Sequence, residues 1–233
     1  MSGWLEKQLP KLVLAPSFVA ILIFVYGFIG WTAWVSFTKS KLLPRYDIVG
    51  LIQYDRLFVS PRWDVAFSNL FIFGCLFIII SMLLGLLLAI LLDQKIRTEG
   101  IIRTIYLYPM ALSMIVTGTA WKWILNPGLG LEAMVRSWGW ESFSFNWLVD
   151  PNMAIYTVVI AGVWQASGFV MALFLAGLRS VDEEIIKAAQ VDGIPTWRIY
   201  SSIILPSMAA IFLSAFIVLA HLAIKSFDLV IAL

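Results

Sequence analysis

His221, Lys225 and Asp228 are the ionisable residues of an otherwise apolar stretch near the end of the chain, spaced i, i+4 and i+7. On a helix that spacing puts all three on one face. Two chemistries suit such a face inside a membrane: passing protons along a path, or offering hydrogen bonds to sugar hydroxyls while Lys225 and Asp228 pair to stay charged. A plainer arrangement also fits, with Lys225 and Asp228 snorkelling from the helix end and His221 packed as a satisfied histidine. Upstream, Trp164, Gln165, Ser167 and Phe169 form a second polar and aromatic group. Ring faces with a few amides are a common way to hold a sugar, and simple helix packing is the alternative use of Ser167.

Other chemistries are excluded by what is missing. The chain has one cysteine, Cys75, and one histidine, so neither a disulfide framework nor a zinc centre can be built. No G-x-x-x-x-G-K-[ST] loop occurs, so the chain has no nucleotide-hydrolysing site of that kind. An intramembrane serine protease would need the serine of a G-x-S-G turn near a histidine. Gln165 stands where its first glycine belongs, and no glycine accompanies His221. The net charge of +2 comes without a basic block or stripe, which gives no purchase for nucleic acid.

A third group is one polar island, Arg179 to Gly193, between two apolar runs. Ser180 and Glu183 fit the S-x-x-E capping box, so the sequence predicts a helix starting at Ser180. Asp182, Glu183 and Glu184 then fall in the first turn, where carboxylates suit the helix dipole. Asp192-Gly193 followed by Pro195 is a stop signal. Val181, Ile185 and Ala188 share one face of this helix, and neither flank is long enough to bury it. Either a partner covers that face, or the segment is a solvated amphipathic loop at the membrane surface.

These groups are positioned by a strongly apolar chain. Hydrophobic residues make up 61%, charged residues 13%, and the mean hydropathy is +0.93. Five runs are long enough to cross a bilayer as helices: 12–37, 65–92, 101–125, 153–178 and 203–233. The first is too long for a cleavable signal peptide. Pro109 should kink the third. Tryptophans gather at run ends and in the connections, as in an interfacial aromatic belt. The expectation is an all-α polytopic transmembrane bundle forming a single domain over 1–233 and embedded in membrane lipid. The connections 38–64 and 126–152, rich in Trp, Pro and Gly, read as interfacial caps. Lysines and arginines, Lys7 and Lys95 among them, divide evenly between the two sides. Only by discounting Lys225 as intramembrane does the balance favour a cytoplasmic N-terminus.

Lys187-Ala188-Ala189-Gln190-Val191-Asp192-Gly193, with Trp197, Ile203 and Leu205-Pro206 at the right spacings, resembles the EAA loop of permease subunits in binding-protein-dependent ABC importers. Tyr106-Leu107-Tyr108-Pro109, Trp121-Lys122-Trp123, Trp164 and Gly177-Leu178-Arg179 are similar to landmarks of the carbohydrate branch, the maltose- and glucose-type sugar permeases. This resemblance implies the type I ABC importer permease fold in a bacterial inner membrane. It implies a second homologous permease, two cytoplasmic ATPase subunits, and a periplasmic or extracellular sugar-binding protein facing the two caps. ATP and Mg would sit in the ATPases, with no cofactor in this chain. The island, within the loop 179–198, would be a coupling helix, with Glu183, Glu184, Lys187, Ala188, Ala189, Asp192 and Gly193 contacting an ATPase. Gln165, Ala166 and Phe169, with the segment around Ala223 and Ser226, would line the sugar path beside Trp164, His221, Lys225 and Asp228.

The sequence departs from that family at Lys187, where a glutamate is usual, and at Asp182, where proline is usual. Glu183 and Glu184, one turn earlier, could supply the missing charge. A sixth helix normally follows a fifth run like this one, so the chain is expected to lack its last helix through missing residues. An ion- or proton-coupled secondary carrier is the rival function, although the inverted repeats expected of one are not visible.

Overall fold

The structure, a computed structural model, describes residues 2–41, 45–94 and 96–233, with side chains from Gln8 onward. The side chain of Lys7, and Lys95 altogether, therefore lie outside the described residues. Two compact units, Met1–Ala66 and Phe67–Leu233, divide the chain.

In the first unit, α1 (Ser2–Ile21) runs through a π-helical turn, Leu22–Gly27, into α2 (Phe28–Ser36). From Gln8 to Ser36 this is one span of 29 residues. It starts four residues before the apolar run that begins at Leu12. Beyond it, an antiparallel bridge joins Thr38 to Ile48, and α3 (Ile52–Phe58) follows. Trp31, Trp34 and Tyr46 form an aromatic cluster with centroids 5.5–6.1 Å apart. The described part of the first connection is thus held by a backbone bridge and stacked rings.

The second unit is organised around a buried helix. α4 (Pro61–Asp93) enters from the first unit and is followed by α5 (Glu99–Leu107), a 3-10 turn at Tyr108–Ala111, and α6 (Met114–Ile124). After α7 (Leu131–Ser137) comes α8 (Ala154–Leu178), whose hydropathic window is 67% buried, against 28% for that of α4. Close packing needs small residues, and α8 supplies them. A Cβ at Gly162 would press on the stacked rings of Phe73 and Phe77, and one at Gly177 on Ile211 and Met208. The cap at 126–152 is fixed by a buried carboxylate: Glu132 pairs with Arg136 at 2.6 Å and accepts from the Phe145 amide at 3.1 Å.

Pro109 does far more than kink the third run. Glu99–Ala111 and Met114–Ile124 meet at 102°, so the run is two helices joined at a sharp corner, the geometry of a broken span or a re-entrant loop. Proline removes an amide donor, Leu112 turns extended (ψ 146°), and Ser113 caps the second half by accepting from the Val116 amide at 3.3 Å. The last run is broken as well. After α9 (Glu183–Val191), α10 (Thr196–Ile199) passes through a π-helical turn at Tyr200–Ile204 into α11 (Leu205–Ser207). That piece meets α12 (Ala209–Ile224) at 68°, and Lys225 and Ser226 separate α12 from α13 (Phe227–Ala232). Among the described residues, three helices are individually long and apolar enough to span a membrane, and each bent pair supplies one more candidate.

Candidate functional site

The island folds into a helix with well-defined ends, though not the predicted start. α9 begins at Glu183, and its N-cap is Asp182, whose Oδ1 accepts from the Glu184 amide at 2.9 Å. Ser180 donates instead to the Gly177 carbonyl at 2.7 Å, finishing α8, so the capping box does not form. An aspartate is as good an N-cap as a serine, and starting the helix there frees Ser180 to close the helix before it. At the other end Gly193 (φ +76°) donates to the Gln190 carbonyl and Ile194 to the Ala189 carbonyl, both at 3.0 Å. Those two bonds are a complete Schellman motif, with the left-handed residue supplied by glycine.

The faces of α9 sort by chemistry. Ala189 is buried, and Val181, Ile186 and Ile194 pack against the core of the second unit. Val181 is therefore not part of the uncovered face. That face is Ile185 (51% exposed), Ala188 and Val191 (88% exposed), with Trp197 exposed beyond the turn. Lys187 Nζ lies 2.8 Å from Glu183 Oε2 one turn back, and this hydrogen bond and the carboxylate charge hold the ammonium's pKa above its ordinary value. Both groups are largely exposed, so the pair orients the helix surface more than it stabilises the fold.

Beside α9 stands a network absent from the sequence reading. Arg179, the C-cap of α8, makes two parallel bonds to Glu99, Nη1 to Oε1 and Nη2 to Oε2, each 2.9 Å. The same Nη2 donates to the Leu92 carbonyl at 3.4 Å, and Nε lies 3.7 Å from Asp93 Oδ1. The Tyr200 hydroxyl donates to Asp93 Oδ2 at 2.7 Å. The Glu99 hydrogen bonds are the main reason the guanidinium is held charged above its ordinary pKa. No periodicity signals this network, because its bonds join residues 80 to 107 positions apart.

A cavity of ≈ 240 Å³ lies farther along α8, where the broken third run crosses it. Its walls include Phe73 and Phe77, Met110 and Leu112 at the break, and Gln165, Phe169 and Ser226. Four expected path residues, Gln165, Ala166, Phe169 and Ser226, thus meet at one cavity. Trp164 instead packs edge-on against Trp121, with centroids 5.9 Å apart. His221, Lys225 and Asp228 are all exposed, one residue out of step with Leu222, Ser226 and Leu229, which do line the cavity. The helix they were expected to share stops at Ile224, and among the described residues no ion pair joins Lys225 to Asp228.

Gln165 has a second task. Its Nε2 donates to the Leu112 carbonyl at 2.8 Å, satisfying a backbone group freed by the helix break. Gln165→Leu should cost ~1–3 kcal/mol of stability by leaving that carbonyl unpaired. Thermal denaturation of the purified protein checks this, and an unchanged midpoint contradicts it.

Comparisons with known proteins agree with this geometry. The family model described as "Binding-protein-dependent transport system inner membrane component" matches residues 81–233. A probable ABC transporter permease protein of Pyrococcus horikoshii is 41% identical over 229 residues, covering 97% of this chain and 78% of that one. The xylose/arabinose import permease protein of Haloferax volcanii is 37% identical, over 93% of this chain and 68% of its own length. A trehalose/maltose transport system permease protein of Thermococcus litoralis is 28% identical, covering 97% and 76%. In fold, the chain is similar to a chain of a bacterial ABC transporter that imports the acidic polysaccharide alginate, with TM-score 0.79, 18% identity and coverage of 97% and 82%. Family match, close relatives and shared fold agree: the chain belongs to the binding-protein-dependent transport system inner membrane components, as a permease subunit of the ABC transporter type.

Proposed function

We propose that this chain forms half of the translocation path of an ATP-driven sugar importer in the plasma membrane, as one permease domain with its N-terminus in the cytoplasm. The observation that carries this reading is α9, a capped helix with an exposed apolar stripe, built onto the end of the most buried helix of the fold. An apolar stripe left in water is costly, and a groove on a partner protein covers it. Glu183, Glu184, Lys187, Ala188, Ala189, Asp192 and Gly193 are the coupling segment in this reading. Ala189 acts from inside by fixing the helix to the core, while Lys187 presents a cation, already paired with Glu183, where relatives of this kind carry an anion.

Two cytoplasmic ATPases, each holding ATP and Mg, would dock on two such helices, one from this chain and one from a homologous permease. Their closure would pull α9, and with it α8 and the cavity wall. A sugar-binding protein outside the membrane would dock on the two caps; a solved relative of this fold was captured in complex with an alginate pentasaccharide-bound periplasmic protein. Phe73, Phe77 and Phe169 offer ring faces to a sugar, while Gln165 and Ser226 offer hydrogen bonds. Trp164, His221, Lys225 and Asp228 would face the path from its open side, where water or the second permease can satisfy their polar groups.

The importer, reconstituted with its partners in proteoliposomes holding ATP, should take up one or more of radiolabelled xylose, arabinose, trehalose and maltose. Uptake should stop with vanadate and continue with a protonophore. The reverse pattern would establish an ion-coupled carrier instead.

A further inference from the structure

Arg179 sits where three helix ends meet. Its fork on Glu99 holds the start of α5, its contacts with Leu92 and Asp93 hold the end of α4, and its own backbone ends α8. Asp93 carries the tie on to Tyr200, in the segment leaving the coupling loop. Between Arg179 and the N-cap of α9 lie only Ser180 and Val181, and both are held, one by its bond to Gly177 and the other by packing on the core.

Such a network adds little to bulk stability. The Arg179 side chain is 44% exposed and those of Glu99 and Asp93 about a quarter exposed, so water screens the pairs. What it adds is direction. Apolar packing between helix ends is non-directional and lets packed helices slide past each other, whereas a planar guanidinium bonded at two points to one carboxylate fixes both register and angle. The helices so tied, α4 and α8, also carry Phe73, Phe77, Gln165 and Phe169 on the cavity wall.

Resting on the importer reading above, we propose that Arg179 is a positioning residue that makes α9 and the adjoining ends of α4, α5 and the Tyr200 segment move as one body. Force applied to α9 then reaches α4 and α8, two of the helices of the cavity wall, instead of being absorbed by sliding at the base of α4. The clamp is carried through the transport cycle closed.

The test uses the assembled importer in lipid nanodiscs, with Cys75→Ser as background and spin labels at Thr98→Cys and Gln190→Cys, both exposed positions. The label-to-label distance is measured without nucleotide and after trapping with ATP and vanadate. With Arg179 present the distance should move by less than about 2 Å, the scale of small helix shifts at interfaces. In Arg179→Gln it should shift or broaden beyond about 2 Å on trapping. Glu99→Gln, which keeps the size of the acceptor, should do the same while vanadate-sensitive ATP hydrolysis persists. A distance that changes with Arg179 in place would mean that the clamp opens, and would overturn the proposal. Unchanged distances in both variants would overturn it too. An unaltered complex that neither assembles with an ATPase nor traps vanadate sinks the importer reading itself, and this inference with it.

Discussion

Gly193→Pro is expected to abolish sugar import while leaving the permease inserted in the membrane and able to assemble with its ATPase. The left-handed residue that ends α9 has φ +76°, and proline is locked near φ −65°, so the two conformations exclude each other. Proline also lacks the amide that Gly193 donates to the Gln190 carbonyl. It further disfavours the helical backbone of the preceding residue, and Asp192 sits at φ −71°, ψ 0°. All three effects fall on the corner that fixes α9 relative to α10, which Ala189 and Ile194 hold against the core. Gly193→Ala separates strain from loss of the corner. A Cβ there meets nothing within 4 Å, so the cost is the ~1–2 kcal/mol of a left-handed L-residue, and most of the bend survives. Uptake in proteoliposomes should drop more than about tenfold for proline and less than that for alanine, tenfold being the equivalent of ~1.4 kcal/mol. ATP hydrolysis should persist in both. Equal uptake in the proline variant and the parent would show that the corner transmits nothing.

The coupling segment was legible because its signals are local. A glycine after a helical pattern, acidic residues in the first turn and an apolar stripe at helical spacing all act over one or two turns; the structure realises the first two, and the third with Val191 in place of Val181. What failed locally was a competition: Ser180 and Asp182 are both good caps two residues apart, and nothing within the sequence says which backbone turns first. The intramembrane groups were harder to place for a different reason. The i, i+4, i+7 spacing tells which residues share a face but not where that face points: the residues that reach the cavity, Leu222, Ser226 and Leu229, keep the same spacing one position along. A shift of one residue turns a helical face by about a quarter of a circle, enough to exchange a cavity lining for an exposed side. The clamp at Arg179 was invisible because its partners, Glu99 and Asp93, are brought to it only by tertiary folding. Pro109 was recognised as a bend, but the size of the bend depends on Leu112 and Gln165, which lie on different elements.

Gly168→Ala should remove folded permease from the membrane altogether. α8 is buried on nearly every side from Ala166 to Met171, and at Gly168 it passes directly over the backbone of α5. A Cβ there would collide with the carbonyl oxygen of Tyr106 and crowd the Leu107 amide nitrogen. These are backbone atoms, which no side-chain rotation can clear. They also belong to the last turn before the Tyr108–Ala111 break, which Gln165 anchors from the turn of α8 preceding Gly168. Pushing α5 away therefore strains the same segment whose freed Leu112 carbonyl depends on Gln165. Overpacking a core costs ~1–3 kcal/mol when side chains can yield, and here the yield must come from two helix backbones at once, so the cost belongs at or above the top of that range. Gly30→Ala is the matched control, since a Cβ at Gly30 meets nothing within 4 Å. In a fusion that fluoresces only when folded, Gly30→Ala should give the parent signal as a single chromatographic peak in detergent, and Gly168→Ala little or none. A Gly168→Ala protein with the parent's yield and melting temperature would mean that α5 and α8 can part here without loss, and the tight crossing would then not be what holds the corner in place.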